Sequence, residues 1–306
     1  MKKLLLALIT LSLGLTVQAQ SLEIVAPVTP GGPVDIFARH FQKYLQSNDI
    51  QSVVVNKPGA DGRIAMRYVM SKPEGSNTIF VATTGPFLFN KILFENSEHE
   101  FTQFNSVLPV ARTPLVVAVS NDSGIQSWQD FLIRAKSNKI NCGISNSASG
   151  FVARYIVHYF NLTGAQIVPF KGSSDVSANL IGNNINCAVD TLVTLAAAHK
   201  SNRIKIVAMG SSGKFNDLNL PVLTDSIKGF EFYNWFGFAV LKNHKVDQKV
   251  LDLARTAFTD ETFSAGLRSI EFEVIKPPVD SLLFLNSELN RFEAIRRQLG
   301  LEKAAF

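Results

Sequence analysis

PVTPGGPVDIFAR, residues 27–39, joins an apolar run at Leu22–Val28 to an amphipathic pattern over Pro33–Gln46. Within that pattern Ile36, Phe37, His40, Phe41, Tyr44 and Leu45 recur three and four residues apart, which predicts a helix with one face against a sheet. An apolar strand that runs straight into a helix is a βα unit of a parallel sheet covered on both sides. The turn between them is two glycines flanked by prolines. With so few side chains, a ligand oxygen can reach bare backbone N–H groups, and the helix N-terminus adds partial positive charge. The same residues equally suit a tight turn that binds nothing. Asp35 falls in the first helical turn, where it favours the dipole and can cap amides. It would repel an anion unless those amides already occupy its carboxylate.

The βα pattern continues outward. Strands are predicted at Ser52–Asn56, Asn77–Thr83 and Pro114–Ser120, with a helix at Gly62–Ser71. After Asn121-Asp122-Ser123-Gly124 the alternation restarts. Helices are predicted at Trp128–Lys136, Gly150–Leu162, Asp175–Leu180 and Leu192–His199, and strands at Ile140–Ile144, Gln166–Phe170, Ile185–Asp190 and Ile204–Met209. A further strand at Phe236–Leu241 precedes helices Val246–Phe258 and Ser281–Leu299, which need a sheet to cover. The first series has only two long helices of its own and is the expected host. The fold class is therefore α/β with two domains, each a mainly parallel sheet flanked by helices. The chain divides into 20–120, 121–234 and a return segment 235–306 that completes the first domain.

Ligands of doubly wound sheets bind beyond the carboxyl ends of the strands. Those ends carry loops rich in Gly, Ser and Thr and poor in charge. The candidate residues are Val28, Thr29, Gly31, Gly32 and Asp35 after the first strand, and Thr83 and Thr84 after the third. In the second series they are Ser145, Asn146, Ser147, Ala148 and Ser149, then Phe170, then Asp190. Asp190 is either a ligand acceptor or a cap for the helix near Leu192. Trp235 and Phe236 either meet the ligand or pack a hinge core.

The first 19 residues hold two lysines, the apolar stretch Leu4–Leu11 and a small-residue site at Val17-Gln18-Ala19. That is the pattern of a cleaved secretory leader, too short to span a bilayer. With no cysteine near the cut, a lipoprotein anchor is not expected, and export to the periplasm is. The formal charge of +5 includes Lys2 and Lys3, and without them the balance falls to +3. No basic run or stripe is present, which argues against nucleic acid and against insertion in a membrane. The five histidines, at 40, 99, 158, 199 and 244, have no metal-ligand spacing, so neither metal nor cofactor is expected. Cys142 and Cys187 are either a disulfide, if their strands are neighbours, or two buried thiols. There is no G-x-S-x-G elbow, no G-x-G-x-x-G and no complete P-loop, and the serines of 145–149 have no histidine nearby in sequence. A catalytic residue is not expected.

Taken in order, VTPGGPVDIFAR, VVVNKPGADGRIA, KPEG, TTGPFLFNKIL, VPFKG, INCAVDTL and WFG resemble the Bug-type extracytoplasmic receptors of tripartite tricarboxylate transporters. The resemblance implies a Venus-flytrap fold closing on a small organic carboxylate. It further implies that the loops at Val28–Asp35, Thr83–Gly85 and Ser145–Ser149 hold the carboxylate through backbone amides, hydroxyls and water. A monomer is expected, with membrane permease subunits or a sensor kinase as partner. An exported hydrolase using a serine of 145–149 is the rival of a different class. The chain departs from the family pattern in three places. Ser and Ala replace the glycines usual in the 145–149 loop, Phe151 replaces a histidine, and Asp61 and Ala65 stand where glycine is common.

Overall fold

The computed structural model describes residues 21–96, 99–211, 215, 220–227 and 230–303, so the expected leader lies outside the described residues. In chain order the elements are β1 (Leu22–Ala26), α1 (Pro33–Gln46), β2 (Ser52–Asn56), α2 (Arg63–Met70) and β3 (Thr78–Thr83). A π-helical turn at Gly85–Phe89 runs into α3 (Asn90–Leu93), and β4 (Phe104–Ser120) follows. Next come α4 (Trp128–Ser137), β5 (Ile140–Ile144), α5 (Ser147–Tyr159), β6 (Ala165–Pro169), α6 (Ser173–Ile181), β7 (Cys187–Thr191), α7 (Leu192–Lys200) and β8 (Ile204–Met209). The chain ends with α8 (Leu223–Ser226), β9 (Tyr233–Leu241), α9 (Gln248–Thr256), α10 (Glu261–Arg268), β10 (Glu273–Val274) and α11 (Ser281–Gln298).

Two sheets make two lobes. In the first, β1 lies parallel between β2 and β3, and β3 pairs antiparallel with β9. In the second, β5 lies parallel between β6 and β7. One strand serves both. From Phe104 to Pro114, β4 pairs with β9, and from Leu115 to Ser120 it pairs with β7 and β8. The parallel character expected of each sheet thus holds for β1–β3 and β5–β7. The strands at the crossing between lobes, β4 and β9, are antiparallel to their neighbours.

The first half of β4 is longer than its sequence suggests. Pro109 and Pro114 interrupt the apolar run, and prolines in a sheet favour edges and irregularities. Here the register with β9 shifts between Pro109 and Ala111, so the ladder accommodates the missing N–H.

Phe37 and Phe41 of α1 pack on Phe238 of β9, with ring centroids 5.2 and 3.9 Å apart. The helix pattern of residues 36–45 therefore buries against the sheet as its spacing implies. α11 covers the other side of the first lobe through buried Leu285 and Phe292. Phe151, from α5 of the second lobe, is fully buried against Phe89, Phe232 and Phe292, with centroids 5.0 to 6.2 Å away. It packs between the lobes and does not line the cavity described below. Cys142 and Cys187 are register partners on β5 and β7, with Cα atoms 4.4 Å apart, and form a disulfide.

Candidate ligand-binding cleft

A cavity of about 870 Å³ lies between the lobes. The first lobe contributes Val28, Thr29, Gly32, the loop Pro58–Gly62 and Thr83, and β9 adds Asn234 and Phe236. The second contributes Ile144–Ser147, Pro169–Ser173, Thr191 and Arg154. The first turns of α1, α5 and α6 and Thr191, the cap residue before α7, all reach this wall. Each helix end presents amides without intrahelical partners and a positive dipole end, so four of them make an anion-binding surface.

The PGGP turn is built around Asp35. Its Oδ2 accepts from Gly31 N and Arg39 Nε, each at 2.9 Å, and its Oδ1 accepts from Asn56 Nδ2 at 2.9 Å. Burial alone would raise this carboxyl, but Arg39, the Gly31 amide and Asn56 outweigh it and hold it below the ordinary range. With both oxygens engaged, Asp35 braces the loop from behind and stays out of the cavity wall. Gly31 has φ +86°, a left-handed conformation that favours glycine. Gly32 has an ordinary φ of −80° and faces the cavity, where its missing side chain leaves room for a ligand.

The 145–149 loop is the capped start of α5. Asn146 accepts from Ser149 N at 3.0 Å, and the Ser149 hydroxyl accepts from Asn146 N and Ser145 N at 3.2 and 3.1 Å. Ser149 and Ala148 are fully buried and set back, whereas Ser145, Asn146 and Ser147 face the cavity. No imidazole lines the cavity among the described residues. Thr84 is also set back, because its Oγ1 accepts from Trp235 N at 3.0 Å and ties β3 to β9. Phe170 lies in the wall, its ring beside Gly143, where an added Cβ would stand only 3.1 Å from it. Asp190 is buried behind the wall. Its Oδ1 accepts from Thr191 N at 2.7 Å and Ser173 Oγ at 3.0 Å, and more distantly from Thr194 Oγ1. Burial pushes this carboxyl up, against the hydroxyls of Ser145, Ser173 and Thr194 and the Thr191 amide. It organises the starts of α6 and α7, nearer the cap than the ligand acceptor of the two readings its sequence allows.

Several wall residues escape the sequence reading, Ser173, Thr191, Asn234, Arg154 and Asp61 among them. Asn234 precedes the apolar run of β9, and its buried Oδ1 lacks a hydrogen-bond partner. Arg154 sits mid-helix among apolar residues, and only its position on α5 turns it to the cavity. Asp61 is visible as a departure from glycine, but its placement is not. Its carboxyl meets the start of α5 across the cleft, Ser147 N–H pointing at Oδ1 over 3.5 Å.

A model of the tripartite tricarboxylate transporter family receptor matches residues 37–301. Protein BugT of Bordetella pertussis is 23% identical over 301 residues, covering 93% of this chain and 91% of that protein. The solved structure of Rpa4515 from R. palustris with adipate superposes with a TM-score of 0.83 at 20% identity, covering 94% of this chain and 98% of the other. MatC from Rhodopseudomonas palustris with bound malate gives 0.79 at 17% identity, over 90% and 98% of the two chains. These likenesses show the fold, the two-lobed α/β architecture of periplasmic binding proteins. Among the described residues no helix is long and apolar enough to cross a membrane.

Proposed function

This chain belongs to the tripartite tricarboxylate transporter receptor family, and on that premise we propose that it captures a small organic carboxylate between its lobes and hands it to a membrane permease. The observation that carries the reading is the convergence of four helix N-termini, with the hydroxyls of Thr29, Thr83, Ser145 and Thr191, on one cavity. Such a wall stabilises a carboxylate by many short hydrogen bonds without a dedicated ion pair. Two structural neighbours were solved with adipate and with malate, both small carboxylates. Residues 20–120 with 235–306 form one lobe in this reading and 121–234 the other, supported by β4, which pairs with β9 in one sheet and with β7 and β8 in the other. The leader pattern and the disulfide support export to the periplasm, where oxidised thiols persist.

The test is a thermal-shift screen of mono-, di- and tricarboxylates, followed by calorimetry. A ligand at 100 times its dissociation constant should stabilise the protein by about 2.7 kcal/mol. If no carboxylate shifts the transition, the reading fails. The permease is tested separately, by reconstituting uptake of the identified ligand into vesicles with and without the receptor.

A further inference from the structure

Asp61 separates this cavity from a plain anion site. Its backbone is left-handed (φ +51°), as is that of Ala60 (φ +48°), a conformation in which non-glycine residues persist only where the surroundings hold them. The carboxyl group belongs to the cavity wall, and its Oδ2 is buried without a hydrogen-bond partner. Ser147 Oγ, from the opposite lobe, is buried beside it without a hydrogen bond of ordinary geometry, close enough to favour the ionised carboxyl. Gly85 keeps the space beside the pair open: a Cβ there would stand 3.6 Å from Asp61 Oδ1 and 3.8 Å from Ser147 Oγ. Arg63, the nearest cation in sequence, donates from Nε to Ala60 O at 3.1 Å and lies over the Phe94 ring. Arg154 and Lys171 stand in the second lobe's part of the wall, both exposed.

Two things follow. The start of α5 already faces a carboxylate of the protein's own, which leaves a ligand carboxylate the starts of α1, α6 and α7. A second ligand carboxylate at the Asp61 end would crowd like charges in a desolvated space, whereas a protonated amine would supply the partner that Oδ2 lacks. Resting on the carboxylate reading and narrowing it, we propose that Asp61 makes the cavity selective for a zwitterion, a carboxylate whose ammonium nitrogen donates to Asp61 Oδ2.

The experiment uses pairs of probes matched in carbon skeleton that differ in the amine: succinate and aspartate, glutarate and glutamate, 3-phenylpropionate and phenylalanine. Each is titrated by calorimetry into the wild type, Asp61→Asn and Asp61→Gly. Both substitutions suit a left-handed backbone, so both variants should fold. In whichever pair binds, the amino member should be tighter by at least about tenfold, the effect of one hydrogen bond to a charged group. Both variants should erase that preference by weakening the amino member and leaving its partner unchanged or stronger. Equal or tighter binding of the amine-free acid to the wild type overturns the proposal, as does a preference that survives in Asp61→Asn and Asp61→Gly, and the carboxylate reading stands in either case. Binding by no member of any pair overturns both.

Discussion

Gly31 and Gly32 are neighbours with different reasons for lacking a side chain. A Cβ at Gly32 would meet only Thr29 O, at 3.9 Å, and the backbone there is ordinary, so the fold has room and only the ligand would be displaced. Gly32→Val should therefore keep its melting temperature and lose affinity, and Gly31→Val, forced to φ +86°, should do the reverse. Calorimetry and thermal denaturation on the same samples separate the two. Hydroxyls divide in the same way. Thr84→Val leaves the Trp235 amide unpaired and should cost about 1–3 kcal/mol of stability, with little direct effect on binding. Ser147→Ala removes a wall hydroxyl that stands beside Asp61 and should weaken binding by roughly ten- to a hundredfold. Lys171→Met, which alters an exposed rim cation, should do much less.

The buried acids also predict opposite pH behaviour. Burial pushes Asp61 above its ordinary value of 3.8, with Ser147 and the charge of Arg63 pulling the other way. The folded state then holds the proton more tightly than the unfolded chain, so stability falls as pH rises from about 3.8 through the folded value. Asp61→Asn should melt higher than wild type at pH 7 without ligand, and the gap should close below about pH 4. Asp35 is depressed, so its contribution is complete above its unfolded value and is lost as pH falls through the lower folded one. Asp35→Asn should accordingly destabilise at pH 7 and matter least in acid. Melting curves of the three proteins across pH 3 to 8 check both signs.

At the scale of elements, the second lobe depends on how β5, β7 and β4 are tied together. β7 sits between β5 and β4, and the Cys142–Cys187 disulfide closes a segment of 45 residues that contains α5, β6 and α6. Those elements carry much of the cavity wall. Removing the cross-link in Cys142→Ala/Cys187→Ala should cost about 2–4 kcal/mol in denaturant unfolding, and reducing the wild type should mimic it. The helices themselves are locally determined. Asp130, Ser149, Phe263 and Leu283 each donate a backbone amide to the side chain of the residue three before them, Ser127, Asn146, Asp260 and Asp280, which is the preferred cap chemistry. That is why the predicted helix starts at Trp128 and Ser281 coincide with the observed ones, while α5 starts three residues earlier than the apolar pattern of 150–162 suggests.

At the scale of the whole molecule, the lobes touch through Phe89 and Phe151, 5.0 Å apart, and through Asp61 and Ser147. Among the described residues β4 alone pairs in both sheets, and the chain returns to the first lobe at β9, so the connection between the lobes is narrow and suits a hinge. Ligand-free protein should populate a more open arrangement and close on binding. Small-angle scattering should give a smaller radius of gyration with saturating ligand, and an unchanged radius would mean that ligand enters a preformed cavity.

How far the sequence reaches depends on the range of the forces involved. The βα units, the first helix face, the glycine turn and the need of the C-terminal helices for a sheet are written in spacings of two to four residues, because strand and helix periods are local. Phe104–Thr113 is not legible in such spacings, because Pro109 and Pro114 break the local pattern while distant β9 supplies the pairing. The site divides along the same line. Val28, Thr29, Gly32, Thr83, Ser145–Ser147 and Phe170 reach the cavity because loops at strand ends must face it. Whether a loop residue turns toward the ligand or braces the wall is settled by partners far away in sequence. Asn56 and Arg39 claim Asp35, Trp235 claims Thr84, and Ser173 claims Asp190. The meeting of Asp61 with Ser147, 86 positions apart, exists only when the two lobes are brought face to face. No local spacing encodes that contact, because the energy that places it comes from the packing of both lobes.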